Sequence, residues 1–102
     1  VKYINIEKNL IPYRFNVQLA DEMFTFEIQH NADYDFFTVD LEKNGEVLVV
    51  GEKVVYGTYL FQNVADRRYP KVGIMPYDES NNSTAATWET LGKSVFLFVE
   101  GN

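Results

Sequence analysis

Apolar and polar residues alternate with a period of two along most of this chain. Over residues 13–19, Tyr13, Phe15, Val17 and Leu19 fall on one face and Arg14, Asn16 and Gln18 on the other. That is the pattern of a strand with one buried face. Residues 23–30 repeat it, with Phe24, Phe26, Ile28 and His30 opposite Met23, Thr25, Glu27 and Gln29. The short link Ala20-Asp21-Glu22 joins the two runs into a predicted β-hairpin. Residues 36–43 resume the period, with Phe37, Val39 and Leu41 inward. Asn44-Gly45 follows, the dipeptide best suited to the two positive-φ positions of a type I′ turn. Glu46 to Val50 returns as a strand. There Leu48 and Val50 share one face and Val47 and Val49 the other, which predicts cover on both sides.

Shorter elements flank this centre. Lys2 to Ile6 alternates, with Ile4 and Ile6 together, and predicts a first strand. Glu7 to Asn9 reads as a turn, and so does Gly51-Glu52-Lys53. Residues 54–56 and 58–61 read as a strand broken at Gly57. Residues 70–77, with Pro70 and Pro76 near their ends, predict a strand at a sheet edge. Asp78 to Thr84 is polar and turn-rich, and predicts a mobile loop. Ala85 to Leu91 predicts a single helical turn, capped by Thr84 or Thr87 and ended by Gly92. Lys93 to Glu100 carries Val95, Leu97 and Val99 on one face and Phe96 and Phe98 on the other. Such a strand lies centrally in its sheet or turns one face to another protein. The expected fold is all-β: one small β-sandwich or partly open barrel of about seven to eight short antiparallel strands. It spans 1–102 as a single domain, with one short helical turn near 85–91.

Composition narrows the function classes. The 102 residues hold no cysteine, so neither disulfides nor a thiolate zinc site can support the fold. Aromatic residues make up 16%, which excludes disorder and suits pleated, half-buried surfaces. Fifteen acidic residues stand against nine basic ones, a net charge of −6 with no basic stripe. That argues against a nucleic-acid partner. The longest apolar run, Val95 to Val99, is too short for a membrane span. Asn5 and Glu7 stand where the apolar core of a signal peptide would begin.

The inventory for catalysis is poor. His30, followed by Asn31, Asp33 and Asp35, is the one histidine. It reads as a strand-end histidine bonding a loop, because acid/base and metal sites mostly use a second histidine. Ser80, Ser83 and Ser94 are the serines, and none stands in a Gly-x-Ser-x-Gly elbow. Gly51, Gly57 and Gly73 are isolated and open no phosphate-binding helix. The expectation is no catalytic residue, no metal site and no cofactor.

The order of features carries a resemblance. A hairpin ends in Phe24-Thr25-Phe26-Glu27-Ile28, and Tyr34 to Leu41 leads into Lys43-Asn44-Gly45. Gly51 to Gly57 follows, then a late Gly73, then Leu91-Gly92 before the apolar run Val95 to Val99. This resembles the small baseplate plug proteins of contractile-tailed phages and phage-derived tail particles. The resemblance implies a structural part of the tail baseplate, made in the bacterial host cytoplasm and carried in the virion. It implies contacts with tube, hub or spike proteins, multiple copies in a symmetric assembly, and no catalytic residues. The alternative is a carbohydrate- or ligand-binding β-sandwich, with tyrosines and Trp88 as stacking platforms. For an interface, the irregular segment Asp66, Arg67, Arg68 and Tyr69 combines charge with an aromatic ring, as anchors often do. Trp88 is the further candidate.

Overall fold

The computed structural model describes residues 2–62 and 67–101. Among them, seven strands form two antiparallel sheets: β1 (Lys2–Ile4), β2 (Tyr13–Leu19), β3 (Glu22–Asn31), β4 (Phe36–Lys43), β5 (Glu46–Lys53), β6 (Gly73–Tyr77) and β7 (Phe96–Glu100). The large sheet has the order β2-β3-β4-β5 and the small sheet β1-β7-β6. The fold is all-β as the alternation predicts, and neither sheet closes into a barrel.

The large sheet is a meander of hairpins. Leu19 pairs with Glu22 around Ala20 and Asp21, whose φ values of 50° and 65° form the two-residue turn. Asn44 and Gly45, at φ 53° and 81°, do the same between β4 and β5. The inward rows are those the pattern assigned. Phe24, Phe26 and Ile28 from β3, and Phe37, Val39 and Leu41 from β4, are fully buried. Facing them from the small sheet stand Ile4, Ile74, Leu97 and Val99, in one continuous core cluster. β7 lies centrally between β1 and β6, so its apolar inner row has cover on both sides.

Several local readings change. The turn expected at Gly51-Glu52-Lys53 is the end of β5. Gly51 sits at φ 74°, its N–H donates to Asp40 Oδ1 at 2.7 Å, and the register shifts opposite it. A bulge thus lets the strand continue where a glycine suggested a stop. Val47, paired with outward-facing Glu42, and Val50, opposite the bulge, are exposed rather than covered on both faces.

Residues 54–61 form no strand. They cross between the sheets instead: Val54 N–H donates to Phe37 O at 2.9 Å, Gly57 N–H to Pro76 O at 2.9 Å, and Leu60 N–H to Ile74 O at 2.8 Å. Phe61 ends the crossing at φ 58°, an uncommon value for a bulky residue. Its N–H is held by Glu52 Oε2 at 2.9 Å, and its buried ring stands edge-on to Phe26 at 5.9 Å.

The turn expected near 85–91 spans Thr87 to Leu91, closed by Leu91 N–H to Thr87 O at 2.9 Å. Thr87 Oγ1 accepts from Thr90 N–H at 3.3 Å, and Gly92 follows at φ 83°. The 3-10 element lies elsewhere, at Lys8–Leu10.

The loop after β6 is pinned, not loose. Asp78 is 2% exposed, and its carboxylate accepts from Ser80 N–H and Oγ–H, Asn82 N–H and Ser83 N–H at 2.6–3.2 Å. Those bonds hold the carboxyl below its ordinary pKa against the opposing cost of burial, with the Ser80 hydroxyl as the largest cause.

Candidate protein interface

The outer face of the small sheet is aromatic, with Phe96 half-buried and Phe98 buried beneath the more exposed rings beside them. Period two sends Ile74 and Pro76 of β6 inward and Gly73, Met75 and Tyr77 outward. It sends Leu97 and Val99 of β7 inward and Phe96, Phe98 and Glu100 outward. Register then builds a surface from distant parts of the chain. Phe98 is flanked by Tyr3 on one side and Met75 on the other, and Phe96 by Tyr77. Tyr3 lies 4.7 Å from Phe96 and 6.1 Å from Phe98, ring centre to ring centre, and Phe96 lies 6.2 Å from Phe98. Tyr3 and Tyr77 remain 47% and 37% exposed, so the face is aromatic and wet.

Tyr59 extends this face. Gly73 has no side chain, and a Cβ there would meet Tyr59 Cε1 at 2.7 Å, so the ring lies directly on the strand backbone. The Tyr59 hydroxyl donates to Glu100 Oε1 at 2.6 Å, and that carboxylate raises the phenol above its ordinary pKa. A shallow apolar depression between Met75, Tyr77 and Phe98 is rimmed by Glu79 and Glu100. The surface therefore offers aromatic rings and a thioether inside an acidic border. Tyr, Phe and Met are residue types enriched in protein interfaces.

The residues singled out from sequence lie elsewhere, in two places. Asp66 falls outside the described residues. Arg67 is exposed. Arg68 pairs with Glu46 of β5 at 2.6 Å, and the Tyr69 hydroxyl donates to Leu48 O at 3.3 Å, with its ring edge-on to Phe61. Arg68 and Tyr69 thus fasten their segment to the start of β5.

Trp88 stands at the opposite end of β4. Its indole stacks on Phe37 at 6.2 Å and packs against His30 at 4.9 Å, while Lys8 Nζ sits 5.5 Å over the ring. Lys8 Nζ also donates to the Trp88 carbonyl. His30 Nε2 meets Asp35 Oδ1 at 2.9 Å, and the same oxygen accepts from Trp88 N–H at 2.9 Å. Asp35 is held below its ordinary pKa, by His30 first and the Trp88 amide second. His30 is thus a strand-end histidine that closes the β3–β4 loop, and Trp88 is the lid of the same cluster. Among the described residues, no group of three or more histidine, aspartate or glutamate side chains stands close enough to hold a metal ion. Among the same described residues, no helix is long and apolar enough to cross a membrane.

Sequence reasoning found two of the six residues of this face. It separated Phe96 and Phe98 from the inner row of β7, but had no means of placing Tyr3, Tyr59, Met75 and Tyr77 beside them.

Comparison with known families gives a match over the whole chain. The family described as the cyanophage baseplate Pam3 plug gp18 matches over residues 1–102. No curated protein matches the chain.

Proposed function

The chain belongs to the cyanophage baseplate plug family and is a structural component of the phage tail, and on that premise we propose how it acts. It is a non-enzymatic, single-domain part of the baseplate, present in several copies, that works by binding tube, hub or spike proteins. The observation that carries this reading is the outer aromatic face of the small sheet. A sheet of three short strands, with exposed tyrosines around Phe96 and Phe98, is a surface that gains from being covered. Its acidic rim fits a partner that brings apolar side chains flanked by lysine or arginine. The net charge of −6 adds a second property: it keeps the domain from adhering to DNA passing through a tail.

The test is a pair of substitutions on the face, Tyr3→Ser with Tyr77→Lys. Both side chains are exposed, so the variant keeps its circular dichroism spectrum and its cooperative melt. It is expected to be lost from purified particles assembled in its presence. Incorporation at the normal level removes the face as the binding surface.

Arg67 and Arg68 are a secondary anchor at the far end of the large sheet. Replacing both with Ala costs little in the free protein, since an exposed ion pair such as Arg68–Glu46 contributes about 0–1 kcal/mol. The double variant is expected to reduce incorporation without changing the melt. Unchanged incorporation rejects the anchor.

A further inference from the structure

We propose that two copies of this chain associate by antiparallel pairing of their β2 strands, joining two large sheets across a two-fold axis. The proposal deepens the multi-copy reading above by naming the strand that joins copies. It rests on how the four sheet edges are finished. An open edge is a row of unpaired donors and acceptors, and proteins blunt such edges in recognisable ways.

Three of the four edges are blunted. β1 is only three residues long. β6 contains Pro76, and its edge is occupied by the N–H groups of Gly57 and Leu60. β5 is bulged, carries Glu46, Glu52 and Lys53, and has its Gly51 amide taken by Asp40. β2 has none of these devices. It is seven residues long, in unbroken register with β3, with one charged residue and no proline within it. That one charge, Arg14, is tied across its own sheet to Glu42 at 2.9 Å and Glu27 at 3.5 Å.

The parity of the hairpin says which groups are free. Leu19 and Glu22 close a two-residue turn, so Leu19 and every second residue before it bond towards β3. The backbone N–H and C=O of Arg14, Asn16 and Gln18 therefore point out of the edge. None of these amides has another acceptor among the described residues.

The strand is also complementary to itself. A two-fold axis at Asn16 sets Asn16 against Asn16, Arg14 against Gln18, Phe15 against Val17 and Tyr13 against Leu19. Free backbone groups then meet free backbone groups. Apolar side chains meet on the inner face, polar ones on the outer, and no like charges stand opposite.

Two observations favour a second copy over other occupants. Tyr13, Phe15 and Val17 are only half-buried, while the inward residues of β3 and β4 are fully buried, so the core is uncovered along this edge. The cleft beside it, running from Lys2 to Asn5 and from Phe15 to Leu19, holds one lysine and no carboxylate. In a chain of net charge −6, a surface with no carboxylate lets two copies meet without acidic repulsion.

Sedimentation equilibrium of the free protein over a range of concentrations tests this. The expected result is a reversible monomer–dimer equilibrium, with the Arg14, Asn16 and Gln18 amides protected from hydrogen exchange only in the dimer. Asn16→Pro removes an outward N–H without costing a backbone bond to β3, and loses only the exposed side-chain bond from the Thr25 hydroxyl to Asn16 Oδ1 at 2.8 Å, so it folds and stays monomeric. Asn16→Lys sets two ammonium groups opposite each other at the axis and also stays monomeric, serving where the proline variant does not fold. A wild-type protein that remains monomeric up to about 1 mM overturns the proposal. So does a dimer that persists in Asn16→Lys. Neither result bears on particle incorporation, so the baseplate reading stands or falls separately.

Discussion

Asp78 shows how one side chain can reverse the reading of a whole segment. The run Asp78 to Thr84 has the composition of a loose loop, yet four hydrogen bonds from Ser80, Asn82 and Ser83 gather on one buried carboxylate. Composition reports solvation, not which of several polar groups turns inward. The bonds favour the ionised form, so the folded pKa lies below the ordinary value of 3.8. The contribution to stability is therefore complete above the unfolded value and is lost as pH falls through the lower folded one. Thermal melts of the wild type should show this loss on acidification. Asp78→Asn should be less stable at neutral pH, and the gap between the two proteins should narrow towards acid. Tyr59 offers a second reading at this scale. Its phenol is held above the ordinary 10 because its hydroxyl donates a hydrogen bond to the Glu100 carboxylate. Glu100→Gln should bring the titration, followed by ultraviolet absorbance, back towards that value.

Elements were most legible where alternation met turn chemistry. β2 and β4 begin and end where the pattern put them, because each has one buried face and a turn signal beyond it. Gly45 illustrates the cost of the turn. At φ 81° with open space around it, a Cβ is opposed only by backbone conformation. Gly45→Ala should lower stability by about 1 kcal/mol in denaturant titrations. Phe26, fully buried and touching Phe15 and Phe61, belongs to the core proper. Phe26→Ala should cost about 3–5 kcal/mol in the same assay. Elements were illegible where a glycine had two meanings. Gly51 marks a bulge and Gly57 a turn, and both have φ 74°. The glycine alone does not distinguish them. Only the bond from Gly51 to Asp40, and that from Gly57 to Pro76, set their roles.

At the scale of the molecule, the two sheets differ in how far the chain must travel to make them. Each pairing in the large sheet is a hairpin, so local pattern suffices to foresee it. The small sheet pairs β1 with β7, from opposite ends of the described chain. Its aromatic face brings together Tyr3, Tyr59, Tyr77 and Phe96, which no window of sequence contains. That is why the interface reading from sequence turned to an irregular segment and to Trp88. The surface that the fold builds was assembled from residues that each looked ordinary alone.

The central place of β7 has a consequence for synthesis. Local hairpins form early, and non-local pairings wait on loop closure. A nascent chain can thus complete the β2–β5 meander while the small sheet has no middle strand. β1 and β6 do not touch each other in the sheet order, so neither can form any part of it alone. The aromatic face therefore comes into existence only when β7 arrives. A product that stops short of Phe96 can carry the hairpins but not the small sheet, so the aromatic face is the last surface of the domain to be made.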